Sequence, residues 1–198
     1  MTPNQNRAEE ILTQSQALLN GHFLLTSGRH AEQYMQCAKV QQYPRQLEEI
    51  AKMIAEGFAG EGVEVVITPA IGGIVIGYEL ARQLGAKAIF AERVDGKMEL
   101  RRGFELEKGT RAVVAEDVIT TGISTQEVMD LAKARGAEIV GIGVIVDRSG
   151  GKLELGAKIV PAYSKEFASY TAQECPICGK GDVPLVKPGS RGSAPNPV

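Results

Sequence analysis

The feature that most constrains this chain is an alternation. Short β-branched runs at residues 63–70 (VEVVITPA), 86–94 (AKAIFAERV), 111–119 (RAVVAEDVI) and 137–148 (AEIVGIGVIVDR) are separated by segments that read as helices or loops. Runs this short and this apolar fit strands buried on both faces. The intervening segments 71–85 and 124–136 read as a loop with a helix and as a helix. They end on Gly85 and Gly136, the residue type that tolerates the left-handed turn closing a helix. Strand, crossover and strand, repeated, predict an α/β fold: a mostly parallel, twisted sheet flanked by helices. In such sheets ligands bind beyond the carboxyl ends of the strands. Two glycine-containing segments fall there, TPAIGG (68–73) and EDVITTGIS (116–124).

Around this frame, residues 46–58 form the clearest amphipathic helix, with Leu47, Ile50, Ala51, Ile54, Ala55 and Phe58 on one face. Residues 7–20 carry Ile11, Leu12, Leu18 and Leu19 at helical spacing, with Gly21 as the stop. Ser124 and Glu127 have the spacing of a capping box. The 198 residues fit a single domain over 1–180, followed by a Pro/Gly/Ser-rich tail at 181–198. A net charge of −2, 5% aromatic residues and no Trp leave neither a basic footprint nor stacking platforms, so no nucleic-acid partner is expected. No apolar run is long enough to span a bilayer, and MTPNQNRAEE has no signal-peptide core. Three cysteines, an odd number, argue against a secreted disulfide framework and for a reducing cytoplasm.

The chemistry concentrates at VVAEDVITTGIST (113–125). A turn between a strand and a helix N-terminus offers unpaired backbone N–H groups and partial positive charge. Gly122 lets backbone approach a ligand, and the Thr and Ser hydroxyls add donors. The combination suits a phosphomonoester. An ordinary, well-capped turn is the alternative. The segment lacks the Gly-Lys-Ser/Thr end of a P-loop and the glycine spacing of a dinucleotide fingerprint. Glu116 and Asp117 beside such a cradle would repel a bare anion. They make sense if the ligand also offers hydroxyls, or a sugar that becomes cationic. A ribose 5-phosphate satisfies both conditions.

VVAEDVITTGIST resembles the phosphoribosyl pyrophosphate (PRPP) binding motif of the type I phosphoribosyltransferases, and segment order is kept over roughly residues 10–165. The resemblance implies that family's fold: a core of about 46–165 under a small N-terminal hood, about 1–45 plus a C-terminal part. It implies PRPP contacts from Glu116, Asp117, Val118, Ile119, Thr120, Thr121, Gly122, Ile123 and Ser124. Glu116 and Asp117 would hold the ribose and offset developing positive charge. Ala70, Ile71, Gly72 and Gly73 would form the pyrophosphate loop, with a non-proline cis peptide at Ala70–Ile71; the residues alone favour a tight turn with close helix packing at PAIGG over a nest of backbone N–H groups. ERVDGKMELRRGF (92–104) carries the hairpin signal Asp95-Gly96. By itself it is a charged exposed hairpin. By resemblance it is a lid that reaches the neighbouring site of a homodimer, with Arg93 and Lys97 as catalytic cations and Arg101 and Arg102 as anchors. Mg2+ is the implied cofactor, held mainly through PRPP, with no protein metal ligands.

Two segments, FLLTSGRH (23–30) and VDRSGG (146–151), are similar to orotate phosphoribosyltransferases in particular. The implied reaction converts PRPP and orotate to orotidine 5′-phosphate and pyrophosphate in pyrimidine synthesis. Arg148 would bind the orotate carboxylate and Thr120 would be a second orotate contact; read without the resemblance, Arg148 is a solvated strand-end residue. A purine phosphoribosyltransferase, a PRPP-sensing regulator and another sugar-phosphate binder are the alternatives. The chain departs from the family pattern at Thr26, Gly72 and Val94, where many relatives carry Lys. CPIC (175–178) is one Cys-x-x-Cys pair with no second pair, and His22 and His30 are distant in sequence. A compact turn packing the tail is expected there. A metal shared between two subunits is the alternative, and a thioredoxin-like role lacks its helix context. Cys37 is isolated and reads as packing.

Overall fold

The computed structural model describes residues 2–25 and 27–188; Met1, Thr26 and residues 189–198 lie outside them. The central sheet has strand order β5-β4-β3-β6-β7-β8, built from β3 (Val65–Pro69), β4 (Lys87–Val94), β5 (Lys97–Leu100), β6 (Arg111–Ile119), β7 (Glu138–Asp147) and β8 (Ile159–Ser164). All neighbours are parallel except the β4–β5 hairpin. The parallel arrangement follows from burial on both faces, which the alternation of β6 makes visible. Val113 and Ala115 pack into one core with Ile50, Ile54, Phe58 and Leu80; Ala112 and Val114 pack into the other with Val128, Met129 and Ile142. Each such Val, Leu or Ile side chain contributes roughly 1.5–3 kcal/mol by leaving water.

Helices α3 (Pro44–Glu56) and α4 (Gly73–Leu84) cover the first face with α1 (Pro3–Gln14), and α5 (Ile123–Ala134) covers the second. Gly85 ends α4 in the left-handed conformation, φ 68°. Pro44 opens α3 at its first turn, where a missing N–H costs nothing. A second sheet, order β10-β1-β2-β9, joins β1 (Leu18–Leu24) and β2 (His30–Met35) to β9 (Ser169–Tyr170) and β10 (Leu185–Val186).

Four local expectations change. The first helix starts earlier and ends at Gln14, because Thr2 caps it through Gln5 N and Gln16 turns left-handed, φ 56°. Leu18 and Leu19 therefore belong to β1, and Gly21 lies inside that strand beside a register shift. The capping box of Ser124 and Glu127 does not form: Gly122 is the N-cap of α5 and no side chain caps it. The segment from 181 is not wholly tail, since Leu185 and Val186 pair with His22 and Phe23. That pairing, with α6 (Pro176–Lys180), brings Cys175 and Cys178 against His22 and His30. The chain separation that argued against shared ligands is closed by the small sheet.

Candidate active site

The chain leaves β3 for β4 in one direction across the sheet and leaves β6 for β7 in the other. β3 and β6 are neighbours, so their carboxyl ends flank the topological switch point, where open α/β sheets place ligands. The loop after β3 is Ala70–Gly72, with a cis peptide between Ala70 and Ile71. The loop after β6 is Thr120–Gly122. Both expected loops therefore meet at one spot, and Glu116 with Val118–Thr125 lines a cleft of about 400 Å3 there.

Gly122 is required on two grounds. Its φ of 71° is left-handed, and a Cβ would lie 2.8 Å from Leu155 Cδ1. Because no side chain caps α5 and no acid sits in its first turn, the N–H groups behind Gly122 remain available to an anion. Thr120 and Thr121 are exposed beside them, and Ser124 is half-buried. The Ile119 side chain is buried and its carbonyl accepts from Arg148 N at 2.9 Å.

Glu116 and Asp117 both turn toward the β3–α4 loop. Asp117 lies against Gly72, and Oε1 of Glu116 lies near Gly73. Asp117 Oδ1 accepts from Val118 N at 2.8 Å, and Glu116 Oε1 accepts from Asp117 N at 3.2 Å. Burial, and next the charge of Asp117, push Glu116 up to about 9. Burial also holds Asp117 above the usual carboxylate range. Two acids this close and this dry cannot both ionise freely, so at neutral pH the pair retains a proton. Two hard carboxylate oxygen sets against a glycine loop have the chemistry to meet ribose hydroxyls or a hydrated Mg2+.

Arg148 stands one residue beyond the Ile119–Asp147 pair of β6 and β7. Its guanidinium lies 5.1 Å over the Phe167 ring. Among the described residues it makes no ion pair, and its buried Nε has no hydrogen-bond partner. Burial pulls its affinity for a proton down. A desolvated, unpaired guanidinium on an aromatic face is a ready partner for a carboxylate.

Residues 36–171 match the phosphoribosyl transferase domain family. Over 182 residues the chain is 50% identical to the orotate phosphoribosyltransferase of Caldanaerobacter subterraneus subsp. tengcongensis, covering 92% of this chain and 95% of that protein. The chain belongs to the orotate phosphoribosyltransferase family. The crystal structure of orotate phosphoribosyltransferase from Aeropyrum pernix has the same fold, with a TM-score of 0.67 at 24% identity over 78% of this chain and 92% of that one. So has adenine phosphoribosyltransferase from Rhodothermus marinus, with a TM-score of 0.64 at 18% identity over 80% and 99%. The fold thus serves enzymes named for different bases, so the choice of base rests on side chains and not on the fold.

In the segment 92–104, expected as a lid, Asp95 and Gly96 take positive φ, 48° and 85°, and close the β4–β5 hairpin. Arg93 is engaged: it donates to the Gly96 carbonyl and is paired with Glu127 of α5. Arg102 is held by Glu92 at 2.8 Å and lies over Phe90, as an anchor would. Among the described residues, Lys97 and Arg101 make no ion pair.

Sequence reasoning missed three supports of this site. Asp147, 2% exposed, accepts from Ser149 N, Gly151 N and Ser164 Oγ and so fixes the loop that presents Arg148. Gln41, in the short helix α2 (Ala38–Gln41), donates to Gly72 O at 3.1 Å and accepts from Ile76 N at 3.0 Å, pinning the β3–α4 loop. Phe167 supplies the platform under Arg148. The Asp-x-Ser spacing of an Asx turn was readable for Asp147; Gln41 and Phe167 carry no sequence signal. No helix among the described residues is long and apolar enough to cross a membrane.

Proposed function

We propose that the chain transfers the 5-phosphoribosyl group from PRPP to orotate, giving orotidine 5′-phosphate and pyrophosphate in pyrimidine synthesis. The observation that carries this reading is the half-buried Arg148 just past β7, stacked on Phe167 and without an ion pair among the described residues, a complement to a carboxylated base. In this reading the Thr120–Ser124 backbone takes the 5-phosphate, and Glu116 and Asp117 take the ribose hydroxyls. The bond from C1 to the diphosphate oxygen breaks as a bond from C1 to the orotate ring nitrogen forms. The sugar passes through an oxocarbenium-like state that the acid pair steadies. The orotate ring nitrogen loses its proton as the bond to C1 forms, and an oxygen of the departing diphosphate can take it, so no strong general base is needed. Positioning and charge supply most of the rate.

The diphosphate that departs needs cations, and Arg93 and Lys97 would bring them as the lid closes. The side chains of Arg93 and Glu127 are 41% and 36% exposed, so releasing their pair costs little. Mg2+, when bound, would supply positive charge against the departing diphosphate; it would be held mainly by PRPP, with Glu116 and Asp117 as the nearby oxygen donors. The small sheet would act as a hood over the base. The enzyme would work as a homodimer in a reducing cytoplasm, with the lid reaching the neighbouring site. Val75 and Tyr78, exposed on one face of α4, offer apolar surface for such a contact.

The direct test incubates the protein with PRPP and Mg2+ and each of orotate, hypoxanthine, guanine, adenine and uracil. Loss of orotate absorbance without purine turnover is expected. Purine turnover with orotate untouched would end this reading.

A further inference from the structure

We infer that His22, His30, Cys175 and Cys178 form a structural zinc site within one chain, apart from the phosphoribosyl site. All four donor atoms lie within 4.8 Å of one another. His22 Nε2 is 2.9 Å from His30 Nδ1, 3.4 Å from Cys175 Sγ and 3.6 Å from Cys178 Sγ. Cys178 Sγ is 3.2 Å from His30 Nδ1. A tetrahedral ion with bonds of about 2.0 Å to nitrogen and about 2.3 Å to sulfur requires N···S edges of roughly 3.6 Å and an N···N edge of roughly 3.3 Å. Four of the six edges, at 2.9–3.6 Å, lie at or slightly below these values, and all six lie within 4.8 Å. Two thiolates and two neutral imidazoles around Zn2+ sum to zero charge, which suits a site where His22, His30 and Cys175 are buried. Cys178 is exposed and gives the ion a way in.

The surroundings fit ligation independently of these distances. His22 Nδ1 donates to the Val183 carbonyl at 3.2 Å, which leaves the Nε2 lone pair facing the other three donors. The donors come from β1, β2 and the C-terminal segment around α6. β9 and β10, on the edges of the small sheet, have only two residues each. Strands so short bury little and need a staple. Zinc would tie the β1–β2 hairpin to the C-terminal segment and so hold β10 on β1. Mixed sulfur–nitrogen tetrahedral coordination favours Zn2+ over oxygen-seeking Mg2+.

The test uses the full chain, stripped with EDTA under reducing conditions and reloaded with Zn2+ or Co2+. Metal analysis should give one zinc per chain, and Zn2+ should raise the melting temperature. The Co2+ form should display intense tetrahedral d–d bands with thiolate-to-cobalt charge transfer. Cys178→Ser, at an exposed position, should fold yet lose zinc affinity by about 100-fold or more, with kcat below its melting temperature unchanged. Three results would each overturn the assignment: no stoichiometric metal in protein with reduced thiols, a Co2+ spectrum without thiolate charge transfer, or a Cys175–Cys178 disulfide in protein isolated with zinc present.

Discussion

A Cβ on Gly72 would lie 2.9 Å from Oδ2 and 3.0 Å from Oδ1 of Asp117. The two loops of the switch point therefore press on one another through a glycine and a carboxylate. Gly72 has an ordinary helical φ of −58°, so what it supplies is space. Asp117 has little freedom to retreat, because Val118 N holds it. Any side chain at this position must displace the acid.

Gly72→Ala should accordingly lower kcat/KM for PRPP by roughly 10- to 100-fold, the scale of an ångström-sized misplacement of a catalytic group. The melting temperature should hold, since Gly72 is exposed. Steady-state kinetics beside a thermal melt decide it. Wild-type kinetics in this variant would mean that the position of Asp117 is not critical.

Arg148 should separate the two substrates. Arg148→Gln removes the charge yet keeps much of the bulk over Phe167. Losing one charged hydrogen-bonding partner predicts a fall of roughly 10- to 100-fold in kcat/KM for orotate, while KM for PRPP stays within about twofold. Arg148→Lys should recover only part, since an ammonium cannot offer the planar fork. Equal losses for both substrates would make Arg148 a structural residue.

Glu116 should make the ligand-free enzyme sensitive to alkali. Its carboxyl is pushed up to about 9 by burial and then by Asp117, whereas an unfolded Glu titrates near ~4.3. Between those values the folded state binds the extra proton, so stability falls as pH rises through that window. Glu116→Gln cannot ionise. Its unfolding free energy should fall less between pH ~5 and pH ~8.5 than that of the wild type, by about 1 kcal/mol or more, although turnover is lost. Denaturant unfolding across pH measures this, and parallel slopes would refute it. Mg2+ with PRPP should narrow the difference by discharging the shared proton.

Much of this was legible in the linear chain. The β-branched runs of 63–70, 86–94, 111–119 and 137–148 fall on β3, β4, β6 and β7 because strands buried on both faces must be apolar at nearly every position. The acids and the Thr-Gly-Ser turn were legible for a related reason: a phosphate loop needs contiguous backbone, so its residues stay adjacent in sequence. The first helix was misjudged at Leu18 and Leu19 because an apolar pair fits either period, and the decision belonged to Gln16 and the sheet. The capping box at Ser124 and Glu127 had the right spacing, yet Gly122 took the cap and Glu127 took Arg93.

By itself, then, the sequence determined strands β3, β4, β6 and β7, the helices α3, α4 and α5 and the glycine turn after β6, since each depends on neighbours along the chain or on a regular period of burial. Only the tertiary structure decided what lies across chain: Gly72 against Asp117, Phe167 beneath Arg148, Gln41 on the β3–α4 loop, and two histidines beside a distant Cys-x-x-Cys. Such contacts depend on how strands are ordered and edges paired, and local propensity does not encode the order in which remote segments meet.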